Sequence, residues 1–422
     1  MQTLAGCFGR HLRGSSELQD ALSIASASGV LYVPPLPMCR EIAAVRVLAV
    51  VLGVAVASPT AAWSGCRGAA PHQTADFAAR GPHAVGVRTL NFVDATRPTP
   101  PNGSFAGTAY RPLDTEVWYP AATPPTATAV RDALLDASGA PYPLVLYGHA
   151  LMDYRAGEAY LAEHLASRGY LVAAVDFPLG KLGAPGGSTF ADLESQPGDL
   201  RAVLDHLLAG DGGFAGAVDT ERIGASGLSL GAATVLLLTY HRDLRDPRIR
   251  AVLPIAPAFG CAFTRAFYRH ARVPVLVLQG DADGLAPLAE NGLRVVRRAG
   301  GPRMLAVLRG GSHLGFTGFA GLLGTPENID QFGCNALLAA IGSGPAFPPL
   351  PGGRGAGIVS EACALPCQTP PTASLDFARQ HELTQTVSAA FFDAYLAGDE
   401  SARCWLARGL ARENPDIETR RR

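Results

Sequence analysis

The sequence predicts an α/β fold: a mostly parallel central sheet with helices on both faces and antiparallel strands at its N-terminal edge. Three observations carry this prediction. From residue 143 onward, near-continuous apolar runs of strand length alternate with amphipathic runs of helix length, the pattern of parallel strands covered on both faces. Before residue 143, two strand-like runs are joined by a Pro/Gly-rich loop, which suits antiparallel edge strands. Finally, Gly227-Leu228-Ser229-Leu230-Gly231 lies where a strand-like run gives way to a helix-like one.

The chain begins with residues 1–37, read either as a mis-called upstream start or as an unusually long leader. A signal peptide is expected over 38–62: Arg40 and Arg46 form a basic region, and Val47–Ala57 is an apolar core too short to span a membrane. Residues 63–81 read as a linker, 82–410 as the folded domain and 411–422 as a polar tail. The early strands are expected at Ala84–Phe92 and Asp114–Tyr119. The alternating region predicts strands at Pro143–Tyr147, Tyr170–Asp176, Arg222–Gly227, Ala251–Ala256, Val273–Gln279 and Met304–Leu308. It predicts helices at Gly157–Ser167, Gly198–Ala209, Leu230–His241, Leu288–Ala299 and Leu383–Leu396. The Pro/Gly-rich segment 343–373 reads as a surface excursion stapled by its two cysteines.

With 422 residues, 48% of them hydrophobic, the chain can bury a large core. A net charge of -1 gives no electrostatic footprint for nucleic acid. Eight cysteines are present, and Cys7 and Cys39 fall before residue 63. Six remain: Cys66, Cys261, Cys334, Cys363, Cys367 and Cys404. Export permits disulfides between them, in pairings the sequence does not fix. A zinc site at Cys363-x3-Cys367 is the alternative, but no second pair has ligand spacing. Trp63-Ser64-Gly65-Cys66 also resembles a lipoprotein signal, which would anchor the chain to a membrane surface through Cys66.

The chemistry centres on Ser229. A serine hydroxyl is a weak nucleophile and needs a sharp turn to expose it, a histidine to take its proton and donors for the oxyanion. The strand–G-x-S-x-G–helix context predicts such a turn. The base should follow on a later loop. His313, in Gly310–Gly315 just after a predicted strand, fits; His381, in a polar helical run, reads as a solvated surface histidine. The orienting acid should follow the preceding strand, where Asp281 and Asp283 compete. The D-x-D-G string there lacks the later ligands of a calcium loop. Oxyanion donors are expected at the Leu230 N–H, opening a helix, and at the Leu151 N–H in the loop Tyr147–Asp153. His149 in that loop reads as structural.

Taken together, Val85–Thr89, Glu116–Pro120, His149–Leu151, Gln196–Leu200, Gly227–Gly231, Gly280–Pro287, Ser312–Phe316 and Phe391–Tyr395 resemble an α/β hydrolase of the dienelactone hydrolase-like group, near bacterial relatives of platelet-activating factor acetylhydrolase. The resemblance runs over roughly residues 82–405. It implies an α/β-hydrolase fold and carboxyl-ester hydrolysis by a Ser-Asp-His triad without a metal or organic cofactor. Its acid-loop spacing, G-x-x-D-x-x-x-P, selects Asp283 and leaves Asp281 to cap the turn. The implied substrates are small acyl esters or acetyl and short-chain phospholipid-type esters. A peptidase, a polyester hydrolase or a non-catalytic surface protein are the alternatives. Two departures stand out: Ala150 occupies a position where the family usually has glycine, and 343–373 looks enlarged.

Overall fold

The computed structural model describes Cys66 and residues 72–323, 329–341, 350–360, 363, 366–368 and 375–421. The expected signal peptide and the stretch before it lie outside the described residues.

The described strands are β1 (Ala84–Asp94), β2 (Arg111–Ala121), β3 (Val130–Arg131), β4 (Tyr142–Gly148), β5 (Leu171–Val175), β6 (Val218–Leu228), β7 (Ile249–Ile255), β8 (Val275–Gly280), β9 (Arg303–Leu308) and β10 (Ile417–Arg421). They form one sheet in the order β10-β9-β8-β7-β6-β4-β5-β2-β1-β3. From β9 to β5 every neighbouring pair is parallel. Antiparallel pairing joins β2 to β5 and β1 to β2, as the early strands predicted. The pairing of β4 with β6 shifts register between Tyr142 and Leu144. Pro143 lies at that shift, where a residue without an N–H costs the ladder least.

The described helices are α1 (Thr74–Ala78), α2 (Ala159–Ser167), α3 (Gln196–Ala209), α4 (Leu230–Tyr240), α5 (Gly292–Arg298), α6 (Asp330–Ile341), α7 (Phe377–Tyr395), α8 (Glu400–Arg408) and α9 (Leu410–Glu413). All residues of β4 are buried, and its alternate side chains feed two cores. Leu144 and Leu146 face the core that includes α3, α4 and α5. Val145 and Tyr147 face the one that includes α2, α7 and α8. Every residue of α4 is buried, which explains why its sequence is apolar all round rather than amphipathic. The Gln196–Leu200 motif opens α3, with Pro197 in its first turn where a missing N–H is harmless. Its Asp199 accepts from Nε and Nη2 of the fully buried Arg111, tying α3 to β2. Burial still pushes Asp199 up to about 6, against the pull of Arg111.

Several segments differ from expectation. The stretch 63–81, expected as a linker, contains α1, whose Phe77 is buried against Trp405 of α8 with ring centroids 4.7 Å apart. Burying such a ring contributes about 2–3 kcal/mol, enough to fix a five-residue helix too short to hold alone. The tail 411–422 carries β10, antiparallel to β9, with Ile417 buried. Helices α6, α8 and α9 lie where no helix was predicted.

The cysteines pair as Cys66–Cys404, Cys261–Cys363 and Cys334–Cys367. The zinc alternative at Cys363 and Cys367 is therefore overturned, since both sulfurs are bonded elsewhere. A lipid anchor on Cys66 is overturned likewise, because the sulfur that would carry it is joined to Cys404. Among the described residues no helix is long and apolar enough to cross a membrane.

The Cys66–Cys404 bridge closes almost the whole domain into one loop, spanning 338 residues of sequence. Replacing both cysteines by serine should lower the unfolding free energy by about 2–5 kcal/mol, read as a shift in the urea midpoint under non-reducing conditions.

Candidate active site

Ser229 sits between β6 and α4 with φ 55° and ψ −110°, a region rarely open to a residue with a side chain. Its backbone is held on both sides: its N–H donates to the Ile255 carbonyl at 3.0 Å, and its carbonyl accepts from Ala233 and Ala258. Both flanking glycines are needed for the crossing. A Cβ on Gly231 would lie 2.0 Å from the Gly148 carbonyl oxygen, and one on Gly227 2.6 Å from that of Gly231. The helix therefore passes in backbone contact with β4, and Ser229 is lifted partly clear of the core.

Two loops reach the same end of the sheet. After β8, Asp283 is 5% exposed, and its Oδ1 accepts from the Leu285 and Ala286 amides at 3.0 and 2.7 Å. After β9, His313 is 3% exposed and its Nδ1 donates to Asp283, 2.9 Å from Oδ2 and 3.1 Å from Oδ1. That bond leaves Nε2 as the ring's proton-accepting atom. Burial pulls the His313 pKa down, but the charge and hydrogen bond of Asp283 and the charge of Asp330 outweigh it and hold it above the ordinary histidine value. Asp281 instead accepts from the Gly310 N–H through Oδ1 at 2.6 Å, the loop-capping role expected of it.

The loop after β4 carries Leu151, expected from the sequence as an oxyanion donor. His149 is buried, donates Nδ1–H to the Ala150 carbonyl at 2.7 Å and accepts from the Phe177 N–H at Nε2. Burial holds its pKa down, so it is a neutral strut. Met152, next to Leu151, adopts φ 62° and turns its own N–H to the Gly180 carbonyl at 2.9 Å. Leu230 is the first residue of α4, so its N–H has no acceptor within the helix.

Ser229, His313, Ala150 and Leu151 line one cavity of about 470 Å³. Its walls are mostly apolar and include Phe190, Phe259, Leu314 and Phe319. Ala150 places its methyl where glycine would leave more room. Cys261 and Pro366 complete the wall, so the segment 343–373 contributes to it. The mouth is greasy: Leu182 is 61% exposed, Phe332 59% and Leu322 87%. No metal-binding cluster of three or more His, Cys, Asp or Glu is found among the described residues.

Four features were not legible beforehand. Gln279 is fully buried, accepts from the Gly292 N–H and donates to the Ala286 carbonyl, bracing the acid loop. Asp330, at the start of the unpredicted α6, bonds the backbone of both loops. Asp153, at the end of the β4 loop, and Glu158 are buried together; burial raises both, and Glu158 well above the usual carboxylate range. His381 is not a solvated surface residue: it stacks on Tyr160 at 3.9 Å and bonds the Thr317 carbonyl.

No protein-family model matches the chain. Lipase 1 from Moraxella sp. (strain TA144) is 26% identical over 162 residues, 38% of this chain and 45% of that protein. The bis(hydroxyethyl) terephthalate hydrolase of Streptomyces coelicolor is 25% identical over 225 residues, 53% and 58% of the two chains. A cutinase of Thermobifida fusca is 23% identical over 253 residues, 60% and 68% respectively. The chain thus spans about half the length of the first two relatives. A solved ferulic acid esterase from Streptomyces cinnamoneus aligns over 81% of this chain and 98% of its own, at 24% identity and a TM-score of 0.54. The sheet order and this likeness identify the α/β-hydrolase fold.

Because a methyl on Gly231 cannot fit against Gly148, Gly231→Ala should cost about 1–3 kcal/mol in urea unfolding.

Proposed function

We propose that this chain is an exported serine hydrolase that cleaves carboxylic esters through an acyl-enzyme. The observation that carries the reading is the buried Asp283–His313 pair opening onto the cavity that Ser229 also lines. In this reading the Ser229 hydroxyl attacks the ester carbonyl, and His313 Nε2 takes its proton and returns it to the leaving alcohol. Asp283 holds the Nδ1–H and stabilises the imidazolium. The N–H groups of Leu151 and Leu230 hold the oxyanion, the latter helped by the positive end of α4. Water, activated by His313, then releases the acid. Nothing in these steps calls for a metal or organic cofactor. The motifs from Val85–Thr89 to Ser312–Phe316 support placement in the dienelactone hydrolase-like group. Export is supported by three disulfides, which suit an oxidising compartment, secreted or periplasmic.

The apolar cavity favours a compact acyl or aromatic group and offers little to a peptide backbone. A second reading, polyester hydrolysis, draws on the exposed Leu182, Leu322 and Phe332 around the mouth and on the relatives named as cutinase and terephthalate-ester hydrolase.

Ser229→Ala should reduce p-nitrophenyl ester turnover on the order of 10⁶-fold with an unchanged melting temperature. Retained turnover would refute the assignment. Comparing C2 to C12 acyl chains, a soluble aromatic diester and a polyester film would separate the two substrate readings. For the wild type, kcat/KM should fall on the acidic side with a midpoint above pH 6.5. Only neutral His313 accepts the proton, and its pKa is raised, so activity appears as pH climbs through that raised value.

A further inference from the structure

We infer that Asp330 is a positioning residue of this centre, locking the acid loop to the histidine loop, and that α6 with its disulfide is the arm that delivers it. The inference rests on the proposed roles of Asp283 and His313.

One fully buried carboxylate receives three backbone amides from two separate loops. Oδ2 accepts from Gly284, next to Asp283, and from His313 itself, each at 2.9 Å. Oδ1 accepts from Leu314 at 2.8 Å. Three donors on two oxygens are what an ionised carboxylate satisfies and an amide does not. Asp330 opens α6, so the helix dipole favours its charge. The arm is fastened one turn further on: Cys334 is bridged to Cys367, and the Cys367 N–H donates to the Gly284 carbonyl at 2.9 Å. The Gly284 peptide is thus held at its N–H by Asp330 and at its carbonyl by Cys367. Neither the acid loop nor the histidine loop can move against the other without breaking these bonds.

The position also has an electrostatic consequence. The charges facing the His313 ring are Asp283 from the acid loop and Asp330 from α6. Helix α7 presents the neutral Gln380, bonded to the Ser312 backbone, and His381, bonded to the Thr317 carbonyl and held neutral by burial. Asp330 therefore acts with Asp283 against burial. Its own pKa is raised, by burial and then by Asp283, against the pull of His313 and the amides.

The test compares Asp330→Asn, Asp330→Glu and the Cys334→Ala/Cys367→Ala pair in the full chain, using a p-nitrophenyl ester. Asp330→Asn should lower kcat about 10–100-fold with little change in KM, and move the acidic limb of kcat/KM to lower pH. Asp330→Glu keeps the charge but misplaces it, so kcat falls while the limb stays near its wild-type position. The cysteine pair loosens α6 without touching the carboxylate; kcat should fall with the limb unmoved. A limb unmoved in folded Asp330→Asn would reduce Asp330 to a structural cap and overturn the inference. If that variant does not fold, unchanged kcat in the cysteine pair overturns it instead. Ser229→Ala runs alongside: turnover there condemns the triad reading, whereas a dead Ser229→Ala with unaffected Asp330 variants condemns only this one.

Discussion

The contact on which the site depends is a backbone-to-backbone approach between β4 and α4. Gly231 passes so close to the Gly148 carbonyl that no side chain fits between them. This closeness lets α4 start immediately after β6 and forces the residue between them into φ 55°. Strain of about 1–3 kcal/mol at such a residue persists only where its surroundings over-determine it. Here the Ile255 carbonyl and the Ala233 and Ala258 amides do so. A second contact of the same kind lies two strands away, where a Cβ on Gly280 would sit 1.9 Å from the Gly311 oxygen. It packs the bases of the acid and histidine loops together. The two glycine contacts set the frame within which the side chains meet.

Inside that frame, ionisable groups are buried under matched conditions. His313 is nearly inaccessible, and burial alone would keep it neutral. Two carboxylates reverse that bias, and each carboxylate is itself supported by amides: Asp283 by Leu285 and Ala286, Asp330 by Gly284, His313 and Leu314. A buried charge without such partners would cost several kcal/mol. On the other side of the cavity the same physics gives the opposite result. There burial and the neighbouring Asp153 push Glu158 well above the usual carboxylate range. The loop carrying Leu151 is supported by the neutral His149, and the loop carrying His313 by carboxylates.

The cysteines extend this organisation outward. Cys261 lies in the cavity wall and is bridged to Cys363, while Cys367 is bridged to α6 and bonded to Gly284. The Pro/Gly-rich excursion is therefore part of the site's scaffold at its described positions. Cys66–Cys404 serves the opposite end of the chain, joining Cys66 to α8.

Much of this was legible in the amino-acid order, because the relevant signals are local. Period and length located the parallel strands, and the G-x-S-x-G junction located the elbow, since both depend on residues adjacent in sequence. Between Asp281 and Asp283 the family resemblance favoured Asp283; in the fold one oxygen of Asp281 accepts from Gly310, while Asp283 meets His313. What the sequence could not determine were partners brought together from afar. Asp330 and Gln380 lie in stretches with no motif, and become important only when α6 and α7 dock on the histidine loop. The polar run Ile417–Arg421 becomes a strand only because β9 offers it an open edge. Phe77 turns a linker into a helix only because Trp405 covers it. The cysteine pairings follow the same rule: composition announced the bonds, and only the tertiary fold, by setting which Cα atoms come within 5–6 Å, chose them.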